Sequence, residues 1–167
     1  MDSASLDVVE HRYSGAVRTR LQNRFGVRFI ALSVCILTCV LFRRPFGAFV
    51  ALLYGLTSAP ASQPRNAILG QTISLTIAVI FTKYCPFLAT WMKQSLGTAL
   101  AIATMTRLGI THPPAGAAAL IFTGDEELGW GNLLFMLVGT VLAILSATFV
   151  NNWSDKRQYP SFWIGFR

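Results

Sequence analysis

The sequence predicts an all-α protein, a polytopic membrane helix bundle of about five spans with two Pro-initiated helix starts on one membrane face. Three observations predict it. Of 167 residues, 53% are hydrophobic and only 13% charged, and the mean hydropathy is +0.52. A soluble domain carries about 25% charged residues, so this chain has too little polar surface to cover a core in water. The apolar residues also run in long blocks at 29–42, 67–82, 95–105 and 128–150, and a bilayer core is crossed by roughly 20 of them. Finally, Pro64 and Pro113 each follow a polar residue and lead into an Ala-rich segment. A proline suits the first turn of a helix because the N–H it lacks would be unpaired there.

In chain order, residues 1–25 form a polar, basic N-terminal segment, 26–151 a transmembrane domain and 152–167 an interfacial aromatic and basic tail. The expected spans are 26–42, 45–62, 67–83, 95–110 and 129–151. Arg43-Arg44-Pro45 makes a short first turn. The stretch from Lys83-Tyr84-Cys85-Pro86 to Trp91 and Lys93 makes an interfacial loop with an aromatic belt. Asp125-Glu126-Glu127 marks an exposed loop, and Trp153, Tyr159 and Trp163 place the tail at headgroup level. Small residues recur every four positions at Gly47, Ala51, Gly55 and Ala59, at Ala99 and Ala103, and at Gly139, Ala143 and Ala147. Such residues share one side of a helix and let backbones approach in lipid. They predict tight packing and no chemistry.

The net charge of +7 does not point to nucleic acid. The basic residues flank the apolar blocks, as membrane topology and anionic headgroups require, and no basic–aromatic motif accompanies them. Five spans put seven basic residues on each side, which leaves orientation undecided, but the second and fourth connections share a face in either case. The Arg- and Ser-rich start hints at an organelle transit peptide, which Asp2, Asp7 and Glu10 oppose. The compartment is a plasma or organelle membrane. Cys35, Cys39 and Cys85 lack metal-ligand spacing and read as packed or lipid-facing thiols.

Two constellations carry the candidate chemistry. In Thr111-His112-Pro113-Pro114-Ala115-Gly116-Ala117 an imidazole precedes a helix start; between Lys93 and Asp125 the only other chargeable side chain is Arg107. An ionisable residue at membrane depth usually faces a protein interior or a watery path. Ser62-Gln63-Pro64-Arg65-Asn66 repeats the pattern, and the two resemble equivalent places in a duplicated two-span unit. Helix starts present N–H groups and a positive dipole end that favour anions. The substrate-binding candidates are therefore Gln63, Arg65, Asn66, Arg107, Thr111, His112 and Gly116. On this reading Gln63–Asn66 approaches Arg107–Gly116, and no helix runs through the Gln63–Pro64 or His112–Pro113 junction. The alternative is that both loops lie in the headgroups with their arginines snorkelling.

An ordered set of motifs adds a family resemblance. Phe46-Gly47-Ala48, Leu53-Tyr54-Gly55, Ser58-Ala59-Pro60, Gln63-Pro64-Arg65-Asn66 with Gly70, His112-Pro113-Pro114-Ala115-Gly116-Ala117, and Asn151-Asn152 followed by Tyr159-Pro160 and Trp163 fall in one order. Over roughly residues 45 to 163 the chain resembles the HPP family of integral membrane proteins, its fungal members in particular. Phe42-Arg43-Arg44-Pro45 stands where the family has a longer apolar run, and Ser62 where Ala is commoner. Plant members are implicated in moving nitrite across the chloroplast envelope. The resemblance thus implies a transporter or channel for a small monovalent anion such as nitrite.

The partners expected are a small inorganic anion, membrane lipids and further copies of the chain in a homo-oligomer. A non-transporting membrane scaffold or assembly protein is the alternative. No cofactor or metal is expected, and no enzyme, because the acidic residues lie in termini or an exposed loop. His112, whose unperturbed imidazole titrates near pH 6.5, would couple anion binding to proton uptake, with transport rising as pH falls from about 8 to 6. Its competing role is that of a neutral cap on the helix beginning at Pro113.

Overall fold

A computed structural model describes residues 46–125, 127, 129–153 and 158–162. The N-terminal segment, the expected span at 26–42, the Arg43-Arg44 turn, Cys35, Cys39, Glu126 and Trp163 lie outside the described residues. The described residues form five α-helices and no strand. They are α1 (Phe46–Gly55), α2 (Pro64–Tyr84), α3 (Thr90–Arg107), α4 (Pro113–Phe122) and α5 (Trp130–Asn152), with a 3-10 turn at Pro60–Ser62.

Both proline starts are realised. Gln63 and His112 are the N-caps, each with extended backbone, and Pro64 and Pro113 are the first helical residues. The helix ends are equally local in origin. α3 closes with Gly109 at φ 65°, a left-handed conformation that costs glycine little. The Ile110 N–H then reaches the Met105 carbonyl at 3.0 Å and the Gly109 N–H reaches that of Thr106 at 3.2 Å. Buried Ile110 packs with buried Met105, completing a Schellman ending.

Side-chain contacts fix the directions of the helices. At one end of the bundle, the upper end, the Ala61 carbonyl meets His112, the Leu53 carbonyl meets Asn151, and Ser62 meets Tyr159. At the lower end the Gly124 N–H donates to Thr82 at 2.9 Å, and Gly97 packs against Thr123. α2 and α4 therefore descend, while α3 and α5 rise between them. The main core joins Phe46, Phe49 and Leu53 of α1, Leu75, Ala78 and Val79 of α2, Ala118 of α4 and Leu133 to Ala147 of α5.

Several expectations are corrected. The segment 45–62 is not one span: α1 ends at Gly55 and the chain turns back through Pro60–Ser62. α4 is a pass of its own, which the five expected spans lacked. Its ten residues make about 15 Å of helix at 1.5 Å per residue, half the thickness of a bilayer core. α2 and α5 are the two described helices long and apolar enough to cross a membrane, so the described residues form an all-helical bundle in which two helices, not five, meet that test. The small-residue stripes also divide. Gly139, Ala143 and Ala147 are buried, whereas Ala51, Gly55, Ala99 and Ala103 are exposed and Ala59 lies beyond the helix. α1 instead buries Phe46, Phe49, Val50 and Leu53.

The extra pass also moves the tail. Gln158–Phe162 sits at the upper end with Arg65 and Arg107, not on the opposite face. Single cysteines placed at Arg107 and Gln158, in a protein with its three native cysteines replaced, should react with an impermeant maleimide from the same side. A cysteine at Asp125 should react only from the other side. Labelling of positions 107 and 158 from opposite sides would overturn this topology.

Candidate functional site

The upper end is built around His112, whose side chain is fully buried. The Leu108–His112 connection delivers it between α1 and α2. Its ring meets Phe49 edge-on at 5.2 Å between centroids, and its Nδ1 lies 2.7 Å from the Ala61 carbonyl oxygen. A carbonyl can only accept, so Nδ1 carries the hydrogen. In the neutral ring the lone pair therefore sits on Nε2, which is buried with no hydrogen-bond partner. The imidazole does not cap α4; it ties the start of α4 to the turn before α2, 51 residues earlier.

Gly70 makes this approach possible. A Cβ at Gly70 would stand 2.7 Å from the Cβ of His112 and 3.3 Å from the Met105 sulfur. Asn66, one turn earlier on the same side of α2, is also buried, and its Oδ1 has no partner. Gln71 adds a third buried acceptor without a partner, Oε1.

Gln63 has a different fate. Its Nε2 donates to the carbonyls of Thr57 and Ala59 at 2.8 and 3.1 Å. Its Oε1 accepts the N–H groups of Ser161 and Phe162 at 2.9 and 3.4 Å. The side chain is fully buried and its hydrogen-bonding capacity is engaged in holding the tail. Tyr159 completes that clasp: its hydroxyl donates to the Ser62 carbonyl at 2.7 Å, and the Asn152 side chain both donates to and accepts from its backbone. Tyr159 is 1% exposed, so this part of the tail is inserted into the protein.

The remaining candidates surround this centre. Arg65 is half-buried in the first turn of α2, while Arg107 and Thr111 are exposed at the rim. Gly116 is buried one turn into α4, where a Cβ would meet Ile102 of α3 at 3.3 Å. That makes it a packing position between α3 and α4. Among the described residues the acidic side chains, Asp125 and Glu127, are exposed in the loop at the lower end. No described group of His, Cys, Asp and Glu could hold a metal ion.

The helix starts themselves supply fewer donors than their number implies. Pro113 and Pro114 carry no N–H, and the Ala115 N–H is bonded to the His112 carbonyl at 3.0 Å. At α2 the Pro64 nitrogen likewise has no hydrogen, and the Ala67 N–H is bonded to the Gln63 carbonyl at 3.0 Å. Ala61, Phe49, Asn151 and the tail were not among the sequence candidates. Of these, only the position of Tyr159-Pro160 after Asn151-Asn152 left a trace in the sequence.

The chain matches the family described as HPP, transmembrane region, over residues 10–160. It belongs to that family. The match begins at residue 10, well before the motifs that start at Phe46, so it takes in most of the N-terminal segment. Among its relatives are two transmembrane proteins of Dictyostelium discoideum, 35% and 32% identical over 128 residues. Each alignment takes 71% of this chain but only 40% and 44% of the relative, so the chain spans less than half the length of these relatives. No solved structure matches.

This HPP protein should be intolerant of any side chain at Gly70. Gly70→Ala should destabilise it by about 1–3 kcal/mol through overpacking against His112, whereas Gly116→Ala, facing the flexible end of Ile102, should cost less. Thermal unfolding in detergent checks the order, and equal stability of the two variants would refute the tight Gly70–His112 contact.

Proposed function

We propose that this integral membrane protein is a carrier or channel for a small monovalent anion, with nitrite the first species to test. The observation that carries the reading is the buried, partnerless Nε2 of His112 at an end of the bundle that holds Arg65 and Arg107 and no described carboxylate. Positive charge there favours an anion, and the buried amide of Asn66, on the side of α2 that meets His112, adds directional hydrogen bonding. Thr111, next to His112 in the chain, is exposed at the rim. Among the described residues the site offers neither a nucleophile paired with a base nor a carboxylate, and catalysis is not proposed. We read the described helices as part of one transmembrane unit, completed by association of several copies in the bilayer.

A second reading, a membrane scaffold without transport, is favoured by one observation: Gln63, Asn151, Asn152 and Tyr159 use buried hydrogen bonds to hold the protein together. Flux decides between them. Purified protein in liposomes should carry nitrite above the rate of protein-free vesicles, and the scaffold reading predicts no difference.

Arg65→Gln should lower nitrite flux by roughly tenfold or more, through loss of a nearby positive charge, with expression and assembly intact. Arg43→Gln should leave flux nearly unchanged. Equal losses from both, or loss of folded protein with Arg65→Gln, would assign Arg65 a structural role. His112→Gln should flatten the rise in flux between about pH 8 and 6 before it abolishes transport. His112→Asn places an amide N–H near the position of Nδ1, retains the bond to Ala61, and should flatten the profile equally. An unchanged pH profile in both variants would make the imidazole purely structural.

A further inference from the structure

The buried side-chain atoms without a partner on His112 and on the stretch of α2 flanking Gly70, which packs against it, are all acceptors: Nε2 of His112, Oδ1 of Asn66 and Oε1 of Gln71. The amides can rotate to offer their N–H₂ groups instead. The imidazole cannot, because the bond from Nδ1 to the Ala61 carbonyl holds the ring and leaves a lone pair at Nε2. The prolines at the two helix starts withhold further donors. A bare anion would thus meet the repelling lone pair of a neutral ring. An imidazolium without an anion would be a buried charge without a counter-charge, which is costly in a dry interior.

We propose that His112 takes up a proton at Nε2 only together with the anion, so that the site binds a small oxyacid as a net-neutral unit and the transported unit is one anion plus one proton. The proposal rests on the anion-carrier reading. In the site, the acid's O–H bond breaks and an Nε2–H bond forms, giving an oxyanion held by imidazolium. The Nδ1–H stays on the Ala61 carbonyl, no electron changes hands, and the total charge stays zero. Release on the other side reverses the transfer.

The surroundings leave no other described group for this proton. α1 presents Phe49 to the ring and carries Tyr54 nearer the tail; the 3-10 turn presents the Ala61 carbonyl. α2 presents Gly70, with Arg65 a turn and a half earlier, and α3 contributes Met105, with Arg107 exposed at its end. The tail contributes Tyr159, whose hydroxyl is engaged by Ser62. The described carboxylates are at the far end of the bundle.

The chain has two histidines, so His11→Gln in uniformly 15N-labelled protein leaves His112 as the sole imidazole reporter beside the backbone amides. In lipid nanodiscs at pH 7 without nitrite, the spectrum should show a protonated Nδ1 and an unprotonated Nε2. Saturating nitrite should convert Nε2 to the protonated form. Nitrite that shifts the Asn66 and Gly116 amide signals while Nε2 stays unprotonated would overturn proton loading and leave the anion site standing. No shift at any of these positions would overturn the anion site and the proposal with it.

Flux offers a second readout. A 100 mV diffusion potential acts on a lone anion with about 2.3 kcal/mol, roughly fifty-fold in accumulation, and not at all on the neutral unit. With protein-free vesicles subtracted, nitrite accumulation should follow an imposed pH gradient and change less than about twofold with potential. Accumulation that follows the potential would overturn electroneutral coupling.

Discussion

The bond from the His112 ring to the Ala61 carbonyl is the constraint on which the upper half of this protein depends. It joins the connection before α4 to the turn before α2, and so sets two helix starts side by side. Gly70 can have no side chain because of it, and Phe49 must lie edge-on against the ring. The prolines that follow Gln63 and His112 contribute by keeping both caps in extended backbone, which turns the His112 side chain away from α4 and across to its neighbour.

Much of this was legible in the residues themselves. A proline after a polar residue has a narrow choice of conformations, so Gln63–Pro64 and His112–Pro113 disclosed two helix starts, and alternation of apolar blocks put them on one face. The failures have a shared physical cause. Lipid and protein core are equally apolar, so a stripe of Gly and Ala cannot announce which of the two it faces. Ala99 and Ala103 look outward, while the buried line on the same helix is Gly97, Ala101 and Met105. α4 escaped because ten residues fall far below the length of a full crossing, although Pro113 and the Thr123-Gly124 turn bracket it visibly.

At the site the residue types were readable and their availability was not. Gln63 and Asn66 are three positions apart and similar in chemistry, yet the first spends its polar atoms on five protein groups and the second keeps a buried oxygen unpaired. Only the path of the remote tail distinguishes them. No local pattern encodes a partner 98 residues away.

That distance has a consequence for biogenesis. The Ser62 carbonyl and the Gln63 side chain become buried only when Tyr159 and Ser161 arrive, 97 and 98 residues further along the chain. Until then, the polar turn before α2 must be kept company by water, headgroups or an insertion machinery, while the apolar helices around it are already in the bilayer. Closure of the upper end therefore waits until α5 and the segment after it have been made. A chain that stalls or is cut shortly after α5 would hold its helices in the membrane with an unsealed polar turn, a form that quality control could recognise.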